Sequence, residues 1–95
     1  MSYSIEYDIR VRNDLKAIDA SSRRRIRSAI ESKLATQPEL FGKPLRHSLA
    51  GFRVLRVGSY RVVYLIKGWI VLVLLIGDRK HVYREAGTGR IHKIY

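Results

Sequence analysis

The chain of 95 residues has no cysteine, two prolines, one tryptophan and only eight acidic side chains. Without cysteine there is no disulfide framework, no thiolate metal site and no thiol nucleophile, which suits a reducing cytosol. The longest apolar run, Trp69 to Ile76, is far too short for a membrane helix. Met1 leads straight into alternating polar and apolar residues, so no signal peptide is expected. The length fits one compact domain, 1–95, and excludes two. Apolar residues make up 46% of the chain, a globular and not a disordered proportion. No repeat, low-complexity tract or linker interrupts it.

The shortage of acid is the informative absence. Thirteen Arg and six Lys outweigh it, giving a formal net charge of +11 and a pI near 10.6. Such an imbalance speaks about partners and not about fold: nucleic acid, an acidic protein or an anionic membrane. The excess of Arg over Lys favours phosphate or carboxylate, because guanidinium presents a planar fork of donors that an ammonium lacks. The plainer alternative is a basic surface that only keeps the protein soluble.

The pattern predicts an α+β domain in the order β-α-α-β-β-β, an antiparallel meander with an N-terminal helical hairpin packed on one face. "SYSIEYD" alternates, with Tyr3, Ile5 and Tyr7 on one side, which predicts a strand. From Arg10 the period becomes helical through Val11, Leu15 and Ile18. Ser21 or Ser22 then caps a second helix whose apolar stripe is Ile26, Ala29, Ile30 and Leu34. "QPELFGKPL" reads as a loop, and Leu45 and Leu49 as one helical turn. Strands are expected over Phe52 to Val57, Tyr60 to Ile66 and Trp69 to Ile76, with Lys67-Gly68 as a tight hairpin between the last two. "WIVLVLLI" is apolar throughout, as a central strand covered on both faces would be. Gly87 and Gly89 argue against a long final helix, so residues 87–95 are expected to be a mobile tail.

Two arginines, Arg56 and Arg61, flank Gly58-Ser59, where two strands meet a turn. A meander has no topological need for them, and Arg79 would return to the same region. Three guanidiniums on one site repel each other unless an anion sits between them. The alternative for each is a stem lying on apolar surface with its head in water. In "DRKHVYREA", read as extended, Arg79, His81 and Tyr83 point one way, placing a cation, an imidazole and a phenol on one face. Imidazole transfers protons near neutral pH, and a phenol transfers a proton or stacks on a base. The alternative is that Val82 and Tyr83 pack the sheet end beside a solvated His81. His47, His81 and His92 show no metal-ligand spacing, and no acidic cluster joins them.

The motifs "LRVGSYRVVY" and "GDRKHVY", with the element order before them, resemble the RelE/ParE superfamily of toxins from bacterial and archaeal toxin–antitoxin pairs, over roughly residues 3–86. The RelE branch implies a ribosome-dependent endoribonuclease that cuts mRNA in the decoding site by 2′-hydroxyl attack. The ParE branch implies a DNA gyrase poison without nuclease residues. A plain nucleic-acid-binding domain is the third reading. By resemblance, Arg61 contacts the scissile phosphate, Arg79 binds phosphate and assists the leaving group, Tyr83 orients or stacks the nucleotide, and Arg56 is a further basic site residue. His81 is the candidate general base, with Arg53 and Lys80 as RNA-binding residues. Arg53 and Arg56 are three apart, so a regular strand sends them to opposite faces. Asp78 stands where relatives often carry His, and an acid there is expected to pair with Arg79. The resemblance implies a small cytoplasmic protein without cofactor or metal, whose partners are a cognate antitoxin, the ribosome with its rRNA, and mRNA, and not a membrane.

Overall fold

The computed structural model describes residues 2–44 and 51–87. The turn expected at Leu45 and Leu49, His47, His92 and all but the first residue of the expected tail lie outside the described residues.

Strand β1, Ser4–Tyr7, alternates over its first residues, with Tyr3 and Ile5 half-buried and Ser4 and Glu6 exposed, but Tyr7, expected on the covered side, is exposed at the strand end. The Asp8 carboxylate then turns the chain by accepting from the Arg10 backbone N–H and Nε, both at 2.9 Å. Helix α1 runs over Val11–Lys16 and α2 over Ala20–Ala29. The cap of α2 is Asp19, not Ser21 or Ser22. Asp19 is extended (φ −63°, ψ 157°), and its carboxylate accepts from the Ser22 N–H at 3.0 Å. A carboxylate satisfies an orphan donor and also meets the positive end of the helix dipole. Beyond Ala29 the helix widens into a π turn, Ile30–Leu34. Ile26, Ile30 and Leu34 recur every four residues and are buried. An ideal α-helix drifts sideways at that spacing, and the wider last turn offsets the drift.

The expected loop "QPELFGKPL" contains a short helix, α3 (Pro38–Phe41), opened by its proline, and a two-residue strand, β2 (Lys43–Pro44). The meander follows as β3 (Phe52–Val57), β4 (Tyr60–Lys67) and β5 (Ile70–Asp78). The sheet order is β1-β5-β4-β3-β2. β1 lies parallel to β5, with Ser4 opposite Ile70 and Tyr7 opposite Val73, and the other neighbours are antiparallel. Parallel pairing needs a crossover, which the helical hairpin begins. It also makes β5 an interior strand, which explains its lack of alternation. A register shift adds to this. Val63 pairs with Leu75 but Tyr64 with Val73, so Leu74 is the extra residue, and Leu74 and Leu75 both face the second core. Trp69 is in the turn with Gly68 and not in the strand, its ring centroid 4.9 Å from that of Tyr3.

The sheet has a core on each face. Ile26, Ile30 and Leu34 pack against Leu55, Val62 and Tyr64 on the hairpin face. Phe52, Val63, Leu65, Leu74, Leu75 and Val82 form the other core. Tyr64 is fully buried, and its hydroxyl donates to the Pro38 carbonyl, tying β4 to α3. Burial pushes its phenol above the ordinary tyrosine value.

The segment after β5 is helix α4, Arg79–Gly87, and not extended. Asp78 supplies the start: its Oδ1 accepts from the His81 N–H at 2.8 Å, an N-cap bond. Gly87 sits at the helix end, a stop signal and not a sign that helix is absent. Among the described residues no helix is long and apolar enough to cross a membrane.

Candidate active site

The β3–β4 hairpin closes between Val57 and Tyr60 over the Gly58-Ser59 turn, where Gly58 takes a positive φ of 60°. One step back from the turn, Arg56 and Arg61 are direct cross-strand partners. Paired residues share a face, with Cβ atoms about 5 Å apart. The two guanidinium stems therefore leave the sheet side by side, on the face of Val54 and Val63 and away from the hairpin. Arg61 is in turn the partner of Gly77 on β5. One row across three strands thus reads Arg56, Arg61, Gly77.

Gly77 has no side chain because another residue occupies the space. A Cβ built there would overlap Cδ2 of His81. α4 turns back immediately after β5 and lays its imidazole where the side chain of residue 77 would stand. His81 therefore covers Gly77, the residue at the β5 end of the row. Its Nε2 lies 3.1 Å from Oδ1 of Asp14 on α1.

Helical spacing separates the three residues that an extended reading put on one face. Val82 is buried in the second core and His81 turns toward Asp14 at the free edge of β5. Arg79 and Tyr83, one turn apart, lie on the flank of Val82 opposite His81. The Arg79 guanidinium stacks over the Tyr83 ring at 5.5 Å from its centroid, and Tyr83 is 58% exposed. A cation held against an exposed aromatic face offers a phosphate and a base two adjoining contacts. Asp78 is engaged in capping α4, so the pairing expected between it and Arg79 gives way to a backbone bond.

Arg53 does not join this group. It pairs with Tyr64 and so lies on the hairpin face, as the three-residue spacing from Arg56 requires. Its Nη2 donates to the Glu39 and Gly42 carbonyls, both at 2.6 Å. Arg53, expected as an RNA-binding residue, here braces β3 against the α3 end. Lys80 is exposed on α4, away from Val82.

Two contributors escaped the sequence reading. Arg25 of α2 reaches the Gly58 turn, its Nη2 3.2 Å from where a Cβ would be, which adds a fourth guanidinium at this end of the sheet. The signal was present in Arg23, Arg24, Arg25 and Arg27, a basic run on a helix whose one buried residue is Ile26. Asp14 is the second: a buried acid four residues before Ile18 in a helical stripe. Among the described residues no group of three or more His, Asp or Glu is placed to hold a metal ion.

Residues 5–83 match the family model described as the ParE toxin of the type II toxin–antitoxin system parDE. Toxin RelG of Mycobacterium tuberculosis is 30% identical over 87 residues, 90% of this chain and 100% of RelG. A crystal structure of the toxin–antitoxin complex RelBE2 from the same organism superposes with a TM-score of 0.78 at 28% identity, covering 83% of this chain and all of that one. A mutant of E. coli toxin RelE in the free state gives 0.75 at 21% identity, covering 93% and 97%.

Proposed function

We propose that this chain, which belongs to the ParE toxin family of type II toxin–antitoxin systems and is RelE-like, is a ribosome-dependent mRNA endoribonuclease. The observation that carries the reading is the Arg56–Arg61 cross-strand pair beside the β3–β4 turn. Like charges directly opposite one another on a sheet destabilise it. An anion between them reverses the sign of that interaction, and a phosphodiester is such an anion.

The reaction is transfer of the phosphorus from O5′ of one nucleotide to O2′ of its neighbour. The 2′-hydroxyl loses its proton as the O2′–P bond forms, the P–O5′ bond breaks, and a 2′,3′-cyclic phosphate and a 5′-hydroxyl result. Negative charge builds on the non-bridging oxygens and on O5′. Arg61, with Arg56 beside it, faces the first, and Arg79 stabilises the second, which takes its proton from water. Fixed cations aimed at charge that exists only in the transition state raise the rate, each typically by ~10²–10³. Tyr83 stacks the adjoining base, and His81 is the base for the 2′-hydroxyl. The ribosome supplies the message in an attack-ready geometry and offers rRNA to the basic surface, which includes Arg25. A cognate antitoxin restrains the toxin, as the RelBE2 complex illustrates for its relative. The working compartment is the cytoplasm, where the ribosome is.

The test is cell-free translation with purified protein and mapping of mRNA ends. Cuts at fixed positions within codons are expected, reduced at least 10²-fold in Arg61→Ala and Arg79→Ala, with naked RNA left largely whole. The matched family description favours one second reading, a ParE-like gyrase inhibitor. Whole message together with blocked DNA supercoiling selects it.

A further inference from the structure

We infer that Asp14 is a positioning residue for His81: it fixes the imidazole tautomer and aims the basic nitrogen at the 2′-hydroxyl. This rests on the nuclease reading above. Asp14 is on α1, on the far side of the chain from α4 in sequence, yet its carboxylate meets both the sheet and the imidazole. Oδ2 accepts from the backbone N–H of Ile76 at 3.1 Å, and Oδ1 lies 3.1 Å from His81 Nε2. The pairing of β1 with β5 ends at Tyr7 and Val73, so Ile76 lies on β5 beyond its parallel neighbour, and Asp14 takes the place that strand would have held. The Asp14 side chain is 4% exposed and that of His81 29%.

Each contact constrains the next. The Ile76 N–H holds the carboxylate in one rotamer, with Oδ1 turned to the ring. A carboxylate oxygen accepts and does not donate, so it selects the tautomer with hydrogen on Nε2. Nδ1 then keeps its lone pair. Cδ2 lies against Gly77, and Nδ1 is on the other side of the ring from Cδ2. The other charged groups lining this cleft of about 390 Å³ are Arg10, Asp78 and Glu85. Arg10 is paired with Asp8 and Asp78 caps α4, while the hydrogen-bond partner at the ring's Nε2 is Asp14. In the reaction Nδ1 takes the 2′-hydroxyl proton as O2′ bonds to phosphorus. The carboxylate stabilises the resulting imidazolium through the Nε2–H bond.

Asp14→Asn tests this, since it retains an oxygen for Ile76 while its amide hydrogens favour the opposite tautomer. Nitrogen-15 NMR of the free protein should show hydrogen on Nε2 in the wild type and on Nδ1 in Asp14→Asn. On mRNA-programmed ribosomes, single-turnover cleavage should fall about 10²-fold in Asp14→Asn and in His81→Ala. The double variant should be no slower than His81→Ala alone, because a residue acting through His81 has nothing left to act on. His81→Ala leaves α1 and the Ile76 bond in place and carries the rate test if Asp14→Asn folds poorly. Either single variant within threefold of wild type, single losses that multiply in the double, or hydrogen on Nδ1 in the wild type overturns the inference while the nuclease reading stands. A wild-type protein that leaves ribosome-bound message whole overturns both.

Discussion

Removing one arginine of the Arg56–Arg61 pair should make the free protein more stable and the enzyme worse. The substitution is Arg56→Met, which keeps an unbranched stem on the sheet and deletes the charge. The two stems leave the sheet about 5 Å apart at Cβ; charges held at that separation in water would repel by roughly 0.8 kcal/mol, an upper bound for heads free to splay, inside the ~0.2–1 kcal/mol span for cross-strand pairs. Arg56 is exposed, so the high dielectric is the right limit. The Debye length is about 30 Å at 0.01 M salt and 3 Å at 1 M. Most of the gain should therefore be present at low salt and largely gone at high salt. For a domain of this size 1 kcal/mol moves Tm by about 4–8 °C, so a rise of up to about 3–6 °C is expected in 10 mM salt and under about 1 °C in 1 M. Message cleavage should fall about 10²-fold at the same time. Differential scanning fluorimetry across a salt series, beside the cell-free cleavage assay, measures both. A Tm that drops at low salt, or a salt-independent shift, would show that the two heads do not share one field, and the phosphate site would lose its basis.

Gly77→Ala should drive the His81 ring from its place, lowering stability by about 1–3 kcal/mol and cutting cleavage with it; chemical denaturation and the cleavage assay report each. Tyr64→Phe leaves the Pro38 carbonyl without its donor and should cost about 1–2 kcal/mol in urea melts near neutral pH. The folded state holds the Tyr64 proton more tightly than the unfolded chain, so its contribution is complete below the ordinary tyrosine pKa of 10.0 and is lost as pH rises through the higher folded value. The gap between wild type and Tyr64→Phe should accordingly narrow in alkaline melts. Asp19 behaves in the opposite sense. Its bonds to Ser22 hold the carboxyl below the ordinary 3.8, so its contribution is present above that value and lost as pH falls through the lower folded one. Asp19→Ala should unfold earlier than wild type at pH 6 and converge with it in strong acid.

Much of the scaffold was legible because it depends on neighbours in sequence. The alternation of Tyr3 and Ile5, the stripe of Ile26, Ile30 and Leu34, and the turn at Gly58-Ser59 each express a short-range period or a local steric demand. The opposite faces of Arg53 and Arg56 followed from strand geometry alone. α4 was misjudged because its terminal glycine outweighed the start signal at Asp78, although a cap followed by eight residues free of Gly and Pro is a helix pattern. The Asp19 cap was missed in favour of serines two and three residues later, where a carboxylate and a hydroxyl are chemically equivalent acceptors.

The sequence by itself determined the β-α-α-β-β-β frame of the α+β fold, the two-faced burial of β5 and a surplus of guanidinium around one hairpin, since each is written in residue type and local spacing. Only the tertiary structure decided that β1 lies parallel to β5, that His81 fills the space above Gly77, and that Asp14 reaches it from 67 residues away. Those contacts arise from strand order and from the angle at which α4 folds back. Both minimise exposed apolar surface over the whole chain, and no local period encodes them.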